Sequence, residues 1–326
     1  MTKEIKIGNP YLLQFNLLTD CIFHCNYCYL NQLRNKNNPT LSFKDFKKFI
    51  DYFESYYHSY GLTLQVDLTG GDIWIHPEFE SVITYTHQKP YVKSIGLMIN
   101  SLWHQKALNT LNKVKDKLGT IQLNIDALNK RPSDLTKLKK INLSCAVKIM
   151  ISNNLPYFLH QLDILRKLKD YDSNLIVAID RICPVESKQL KDIPSLYETI
   201  KMINEVKIVC GNNFVTEDPL IKALLGDKKL HKESSETING CAIPNGGLSI
   251  FPDGSIKLCS RIPNFNSGYN VHNFNLDNYI QKYQIEMSQR HSNCKHCSIF
   301  ELCQGGCPAT SFISENNKIN RDINCL

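Results

Sequence analysis

The eight residues C-I-F-H-C-N-Y-C, from Cys21 to Cys28, decide the fold of this chain. They follow an apolar run at residues 11–18 that has the length of a strand and leaves no room for a helix. The cysteines are spaced C-x3-C-x2-C, and thiolates at this spacing on a loop can hold three irons of a 4Fe–4S cluster. The fourth iron is then left for a small molecule. The alternatives are free thiols or a structural zinc site, which normally closes four ligands.

The spacing resembles the signature of the radical S-adenosylmethionine (SAM) superfamily, C-x3-C-x-aromatic-C, with Tyr27 in the aromatic position. The resemblance implies that Cys21, Cys25 and Cys28 bind a 4Fe–4S cluster, that SAM chelates the open iron, and that Tyr27 contributes to SAM binding. It also implies that electron transfer cleaves SAM to a 5′-deoxyadenosyl radical, which abstracts a hydrogen atom from an unactivated C–H bond. A reductant such as flavodoxin or ferredoxin is then an expected partner.

Composition and charge narrow the class of protein. Of the 326 residues, 42% are apolar and 21% are charged, and the first residues carry no apolar signal region. No run of about 18 apolar residues could span a membrane. We therefore expect a cytoplasmic protein, in which thirteen cysteines indicate metal or redox chemistry rather than disulfides. The net charge of +7 comes mostly from scattered lysines, which favours a solvated surface, so neither nucleic acid nor a membrane is an expected partner.

Segments of strand and helix length alternate along the first two thirds of the chain. Apolar runs predict strands at residues 11–18, 62–68, 92–99, 120–125, 146–151 and 175–179. Helical spacing predicts helices at 42–60, 103–117, 133–140, 156–169, 195–209 and, later, 276–289. Six strand–helix units imply a parallel sheet with right-handed crossovers, either doubly wound or barrel-like. The superfamily resemblance implies an α/β partial (β/α)6 TIM-like barrel, with the cluster loop after the first strand and the active groups at the carboxyl ends of the strands.

The composition changes at a polar, charged stretch near residues 226–236. We expect a radical SAM barrel over residues 1–211, a linker over 212–240, and a small C-terminal domain over 241–326. In this last region Pro252-Asp253-Gly254 indicates a hairpin.

Seven cysteines follow this boundary in a second pattern. The spacing is C-x12-G-x4-C from Cys241 to Cys259, then C-x2-C-x5-C-x3-C from Cys294 to Cys307, then Cys325. This resembles the SPASM extension of radical SAM enzymes, which implies two auxiliary 4Fe–4S clusters and three clusters in all. Zinc ribbons are the alternative, because C-x2-C units look similar. The resemblance assigns Cys241, Cys259 and Cys307 to auxiliary cluster I, and Cys294, Cys297, Cys303 and Cys325 to auxiliary cluster II.

Three cysteines lie outside both patterns: Cys145, Cys183 and Cys210. Some relatives supply a fourth ligand to auxiliary cluster I. We expect an open iron there, with Cys210 as the alternative ligand. Cys183 follows the sixth predicted strand and should lie near the barrel mouth, where a thiol could return a hydrogen atom during a radical epimerisation. A buried packing role is the alternative for Cys183.

Polar residues that follow the predicted strands complete the expected SAM site. Gly70-Gly71-Asp72 stands where relatives carry Gly-Gly-Glu, a motif that contacts the SAM amino group; Asp keeps the carboxylate but reaches less far. Asn124 and Asp126 end the fourth strand where relatives often carry Ser-x-Asp near the SAM ribose and carboxylate. Asn100 ends the third strand and is assigned to the same site. For Asn100, Asn124 and Asp126, the alternative is a solvated strand end without a role in SAM binding.

SPASM enzymes most often modify ribosomally made peptides, so the resemblance implies a precursor peptide as substrate, recognised directly or through a separate leader-binding protein. Hydrogen abstraction would give a cross-link (C–C, thioether or ether) or an epimerised residue. The alternatives are a dehydrogenase or epimerase of a small molecule such as a sugar or aminoglycoside, a sulfatase-maturase-like protein modification, and a non-catalytic electron carrier. Sulfatase maturases carry a general-base Asp directly after the hairpin's second cysteine, and Ser260 in that position argues against this activity.

Overall fold

The computed structural model describes residues 7–23, 25, 27–104, 106–225, 240–289, 294, 296–316 and 318–324. The predicted cluster ligand Cys325 and the charged stretch at residues 226–236 lie outside the described residues.

A single nine-stranded sheet organises the described part of the chain, in the order β7-β6-β5-β4-β3-β2-β1-β8-β9. Neighbouring strands are parallel except β8 and β9, which pair antiparallel. The first six strands therefore pair in chain order, as right-handed strand–helix units require, and the α/β fold class is confirmed. The strands are β1 (Tyr11–Asn16), β2 (Leu64–Thr69), β3 (Val92–Ile99), β4 (Leu118–Asn124), β5 (Cys145–Ile151), β6 (Ile176–Arg181), β7 (Phe214–Val215), β8 (Gly247–Ile250) and β9 (Ile256–Lys257).

Eleven α-helices connect and cover these strands in the described residues. The predicted helices at 133–140 and 276–289 agree with the structure to the residue, whereas the predicted helix at 103–117 is shorter in the structure and covers Ala107–Lys113. The helices are α1 (Asn31–Asn37), α2 (Phe43–Tyr60), α3 (Phe79–Gln88), α4 (Ala107–Lys113), α5 (Ile125–Lys130), α6 (Ser133–Lys140), α7 (Leu155–Leu168), α8 (Leu196–Cys210), α9 (Pro219–Leu225), α10 (Leu276–Gln289) and α11 (Phe300–Cys303). None of them is long and apolar enough to cross a membrane.

Helix α3, which links β2 to β3, was not predicted. Its sequence contains several β-branched residues, which favour strands. The helix forms because Phe79, Val82, Ile83 and Thr86 fall on one face and are buried there. Packing of this face outweighs the local strand preference.

The described part of the predicted linker is structured. Residues 212–225 contain β7, which pairs with β6, and helix α9. Beyond the charged stretch, β8 returns to the sheet and pairs in parallel with β1. The C-terminal region thus begins as a continuation of the barrel sheet, and the division at residues 211 and 241 stays a prediction.

The junction of β1 and β2 positions the cysteine loop. Backbone hydrogen bonds continue past both strands, from Gly71 N to Leu18 O and from Asp72 N to Asp20 O, each at 2.8 Å. Gly70 has a φ of +138°, a conformation that side chains disfavour, and a Cβ on Gly71 would lie 1.8 Å from the Asp20 carbonyl oxygen. The two glycines therefore hold the start of the cysteine loop against the end of β2.

A carboxyl group is buried inside the sheet at Asp67 on β2. It accepts a hydrogen bond from Gln65 Nε2 at 3.1 Å, and the missing side chain of Gly96 on the next strand makes room for it. Burial raises the pKa of this carboxyl to about 7. Ionisation of Asp67 at alkaline pH therefore opposes folding.

Replacing Gly71 by Ala should destabilise the protein by about 3 kcal/mol, because the added methyl cannot fit beside the Asp20 carbonyl. Urea unfolding of the cluster-free protein, followed by circular dichroism, measures the change. Gly119→Ala on β4 is the control, since its Cβ would have its nearest neighbour, Ile95 O, at an ordinary 3.8 Å. Equal stability of the two variants would contradict the close approach.

Replacing Asp67 by Asn should remove a pH dependence of stability. Because its pKa is raised in the folded state, Asp67 contributes its full stabilisation below its pKa in the unfolded chain, which is about 4. This contribution to the free energy of unfolding is lost as the pH rises through about 7. Between pH 5 and pH 8 the wild type should lose about 2 kcal/mol that Asp67→Asn retains. Hydrogen exchange of the β2 and β3 amides, corrected for intrinsic rates, measures this difference. Parallel pH profiles of the two proteins would rule it out.

Candidate active site

The cysteine loop lies between β1 and α1, at the carboxyl edge of the sheet. Cys21, Cys25 and Cys28 are all partly buried. The loop is tightened by a hydrogen bond from Cys28 N to Cys25 O at 3.1 Å, and the Asp20 carboxylate accepts one from Cys21 N at 2.9 Å. The predicted position of this loop after the first strand is confirmed.

Burial is the largest influence on the pKa of the three thiols. Burial raises the pKa of all three, that of Cys25 to about 11. Against it act hydrogen bonds to Cys21 Sγ from Phe23 N and Asn100 Nδ2, both at 3.4 Å, and the Arg34 guanidinium near Cys28. The free thiols are therefore protonated at neutral pH, and binding of iron would release their protons.

The donor set of these three cysteines suits a 4Fe–4S cluster. In a 4Fe–4S cluster each thiolate binds a different iron, so the sulfurs lie farther apart than around one zinc. Cys25 has both Cys21 and Cys28 within electrostatic range. A trio of thiols with amide and guanidinium donors around it suits a cluster with one open iron.

Asp72 stands beside this loop and is fixed in place by a tryptophan that the sequence did not single out. Its Oδ2 accepts a hydrogen bond from Trp103 Nε1 at 2.7 Å, and its Oδ1 accepts one from Trp74 N at 3.3 Å. Burial raises the pKa of the Asp72 carboxyl. Asn100 Nδ2 donates a hydrogen bond to the Cys21 sulfur. Two of the predicted SAM-binding residues, Asp72 and Asn100, therefore lie next to the cysteine loop.

The other predicted SAM-binding residues form a second group of hydrogen-bonded side chains. Tyr27 donates a hydrogen bond to Asp126 Oδ2 at 3.3 Å and accepts one from Asn124 Nδ2 at 3.4 Å. Tyr157 also donates to Asp126 Oδ2, at 2.8 Å, and its ring lies 5.7 Å from that of Tyr27. Asn124 additionally caps α5, because its Oδ1 accepts hydrogen bonds from Asp126 N and Ala127 N.

Tyr157 was missed by the sequence analysis. A usable signal was its place in the first turn of α7, the helix that follows β5, where its backbone N–H donates to the N-cap side chain of Asn154 at 3.3 Å. Residues in such first turns lie at the carboxyl edge of a parallel sheet, where the site is built.

A cavity of about 190 Å³ with a mixed polar and apolar lining lies along β6 and β7. Asp180 lines it, and its buried Oδ1 has no hydrogen-bond partner among the described residues. Its Oδ2 pairs with Lys148 and with Arg261. Burial opposes the charge on Asp180, but Arg261 and Lys148 outweigh it and hold the pKa of this carboxyl below its usual value. The cavity is lined by Gln122, Ala178, Ile179, Asp180, Val215, Thr216 and Glu217.

The cysteines outside the SAM loop divide between the two edges of the sheet. Cys145 begins β5 and Cys210 ends α8, so both lie at the amino edge of the sheet. Cys210 thus lies at the edge of the sheet opposite to the cysteine loop, and its assignment as the alternative fourth ligand stays a prediction. Cys183 follows β6 at the carboxyl edge, within hydrogen-bonding reach of the Cys307 sulfur. The other cysteines of the second pattern in the described residues are Cys241, Cys259, Cys294, Cys297 and Cys303.

No family model matches the chain. An uncharacterized protein of Methanocaldococcus jannaschii is 24% identical over 213 residues, which are 57% of this chain and 68% of that protein. The antilisterial bacteriocin subtilosin biosynthesis protein AlbA of Bacillus subtilis is 26% identical over 132 residues, 40% of this chain and 28% of its own length. The match to AlbA thus spans less than a third of AlbA.

Solved structures match nearly the whole chain. SuiB of Streptococcus suis bound to precursor peptide SuiA gives a TM-score of 0.71 at 14% identity, covering 98% of this chain and 76% of SuiB. SuiB bound to S-adenosylmethionine gives 0.69 at 15% identity, with 98% and 77% covered. The protein anSMEcpe with bound AdoMet gives 0.66 at 16% identity, with 96% and 94% covered. These matches show that the chain shares its α/β fold with two proteins whose structures were solved with bound S-adenosylmethionine.

Proposed function

We propose that this chain is a radical SAM enzyme that takes a hydrogen atom from a residue of a ribosomally made precursor peptide and leaves a cross-link or an epimerised residue. The observation that carries the proposal is the cysteine loop at the carboxyl end of β1, flanked by two groups of polar side chains. Support comes from SuiB, which shares the fold and was solved with SAM and with its precursor peptide, and from AlbA, a bacteriocin biosynthesis protein.

Each group beside the loop has a distinct task in this proposal. Cys21, Cys25 and Cys28 hold the SAM cluster, which, with bound SAM, supplies the 5′-deoxyadenosyl radical. Asp72 accepts a hydrogen bond from the SAM amino group, and the Trp103 indole N–H holds its carboxylate in one orientation. Gly70 and Gly71 set the position of this carboxylate, because they join the end of β2 to the cysteine loop.

The second group receives the other end of SAM. Hydroxyl groups of Tyr27 and Tyr157 fix the Asp126 carboxylate from two sides. Asn124 fixes the Tyr27 hydroxyl in turn. We assign Asp126 and Asn124 to the hydroxyl and carboxylate groups of SAM. We assign Asn100 to the part of SAM that binds beside Cys21.

The peptide residue enters the cavity beside β6. Asp180 lines this cavity with an ionised carboxylate, which suits a backbone N–H or an ammonium group of the substrate. The cysteines of the second pattern would hold two auxiliary 4Fe–4S clusters, which would supply electron transfer and bring the number of clusters per chain to three. A flavodoxin or ferredoxin supplies the first electron, and a leader-binding protein is a further partner if the peptide is not recognised directly.

The reduced, cluster-loaded protein should cleave SAM to methionine and 5′-deoxyadenosine under anaerobic conditions. Chromatography with mass spectrometry measures both products. A variant with Cys25 replaced by Ala should lose this activity, and Cys145→Ala, at the opposite edge of the sheet, should keep it. Absence of SAM cleavage by protein that carries its full complement of iron would refute the proposal.

Turnover with a candidate precursor peptide separates the two outcomes of hydrogen abstraction. A cross-link lowers the peptide mass by about 2 Da, whereas epimerisation in deuterated water adds deuterium at Cα.

Replacing Asp72 by Asn should weaken SAM binding about tenfold or more, because a charge-assisted hydrogen bond to the SAM amino group is lost while the side-chain shape is kept. Equilibrium dialysis of SAM against cluster-loaded protein measures the dissociation constant. The matched control is Asp163→Asn, whose carboxylate pairs with Arg166 on the surface of α7. Unchanged affinity in Asp72→Asn would remove Asp72 from the SAM site.

A further inference from the structure

The loop after β6 approaches the second cysteine pattern closely. The Cys183 thiol is within hydrogen-bonding reach of the Cys307 sulfur, and both are electrostatic neighbours of the Arg261 guanidinium. Cys259 has Cys307 and Cys241 as electrostatic neighbours in turn. Each of these four thiols therefore has at least one of the others as a neighbour, although the sequence pattern assigns only three of them to a cluster.

A buried clamp holds Cys183 and Cys307 together independently of their sulfurs. Arg181, two residues before Cys183, donates from Nη1 to Asp322 Oδ1 at 3.1 Å and is fully buried. The same carboxylate accepts a hydrogen bond from Cys307 N at 3.0 Å through its Oδ2. On its other side Arg181 forms a bidentate pair with Asp218, at 2.8 and 3.0 Å. The end of β6 is thus tied to the backbone of Cys307.

A second contact ties the same loop to the hairpin region. Asn264 Nδ2 donates to Val185 O at 3.3 Å. Val185 lies two residues after Cys183, and Asn264 lies five residues after Cys259. The position of Cys183 is therefore fixed from both sides, by the Cys307 segment and by the segment after Cys259.

The chemistry of the four residues suits one cluster. Their donor set is four thiols, and a 4Fe–4S cluster takes one thiolate on each of its four irons. The Arg261 guanidinium, held by Asp180 at 2.5 Å, lies where it can offset the negative charge of a thiolate-bound cluster. Cys210, the alternative fourth ligand, lies at the opposite edge of the sheet.

We infer that Cys183 is the fourth ligand of auxiliary cluster I, together with Cys241, Cys259 and Cys307. On binding, the Cys183 thiol loses its proton to solvent and its sulfur binds the remaining iron, so no electron transfer is involved. The inference rests on the proposed function only in that an auxiliary cluster must be present. It leaves that cluster without an open iron and suited to electron transfer alone. It also excludes Cys183 as a hydrogen-atom donor, because a bound thiolate has no hydrogen to give, and thereby favours cross-linking over epimerisation.

Alkylation of the cluster-loaded full chain tests the inference without a mutation. Iodoacetamide treatment under anaerobic conditions, followed by peptide mass spectrometry, compares protein before and after cluster loading. Loading should protect Cys183 at least tenfold and leave Cys145, a half-buried cysteine at the amino edge, unchanged. Alkylation of Cys183 at the same rate in loaded and cluster-free protein would overturn the inference and restore the free-thiol role.

Spectroscopy of variants gives the second readout. In a background with Cys21, Cys25 and Cys28 replaced by Ala, only the auxiliary clusters should remain, with about eight irons per chain. Adding Cys183→Ala should either remove about four irons or leave a cluster whose electron paramagnetic resonance spectrum shifts on addition of cyanide. Cys145→Ala should match its parent in both respects. A Cys183→Ala protein with the iron content, spectrum and cyanide response of its parent would contradict ligation.

The two proposals fail in different ways. Protein that protects Cys183 but cleaves no SAM refutes the proposed function and leaves the ligand assignment standing. Protein that cleaves SAM but leaves Cys183 open to alkylation refutes the ligand assignment and leaves the proposed function standing.

Discussion

One buried cation, the guanidinium of Arg181, joins the barrel to the rest of the chain. It ends β6 and pairs with two carboxylates from distant parts of the sequence, Asp218 before α9 and Asp322 near the C-terminus. All three side chains are fully enclosed. The position of the Cys307 segment relative to the sheet depends on this contact, because the Asp322 carboxylate also accepts a hydrogen bond from Cys307 N.

A buried ion pair stabilises only when its remaining hydrogen-bonding capacity is satisfied. Here it is: Asp218 Oδ1 also accepts from Leu220 N and Ile221 N at the start of α9, and Asp322 Oδ1 accepts from Asn324 N at 3.0 Å. Loss of one partner of such a group costs about 3–5 kcal/mol, because a charge is left buried. Gly306 has a φ of +68°, and a Cβ there would lie 2.5 Å from that of Asp322, so the close approach depends on glycine as well. The arrangement specifies one position for the C-terminal segment.

Much of the fold followed from the sequence, because strand and helix periodicities are local and the cysteine spacings are specific. Strand β3 and helices α6 and α10 agree with the structure to the residue. Contacts between distant segments could not be predicted in this way. Trp103 and Tyr157 belong to the candidate site only because the strand before Trp103 ends, and the helix that contains Tyr157 begins, at the same edge of the sheet. Likewise, the sequence places Cys183 near the barrel mouth, but its proximity to Cys307 depends on the buried arginine.

The parallel pairing of β8 with β1 has a consequence for how the chain could be divided. Hydrogen bonds along one edge of β1, the strand that leads into the cysteine loop, are made by a segment beyond residue 240. Tyr11 also donates to Pro244 O at 2.9 Å, and Asn16 to Ile250 O at 3.0 Å. A fragment cut after α9 would expose an unpaired strand edge, which invites association with other chains. The barrel is therefore not a self-contained module, and a truncated form should be prone to aggregate.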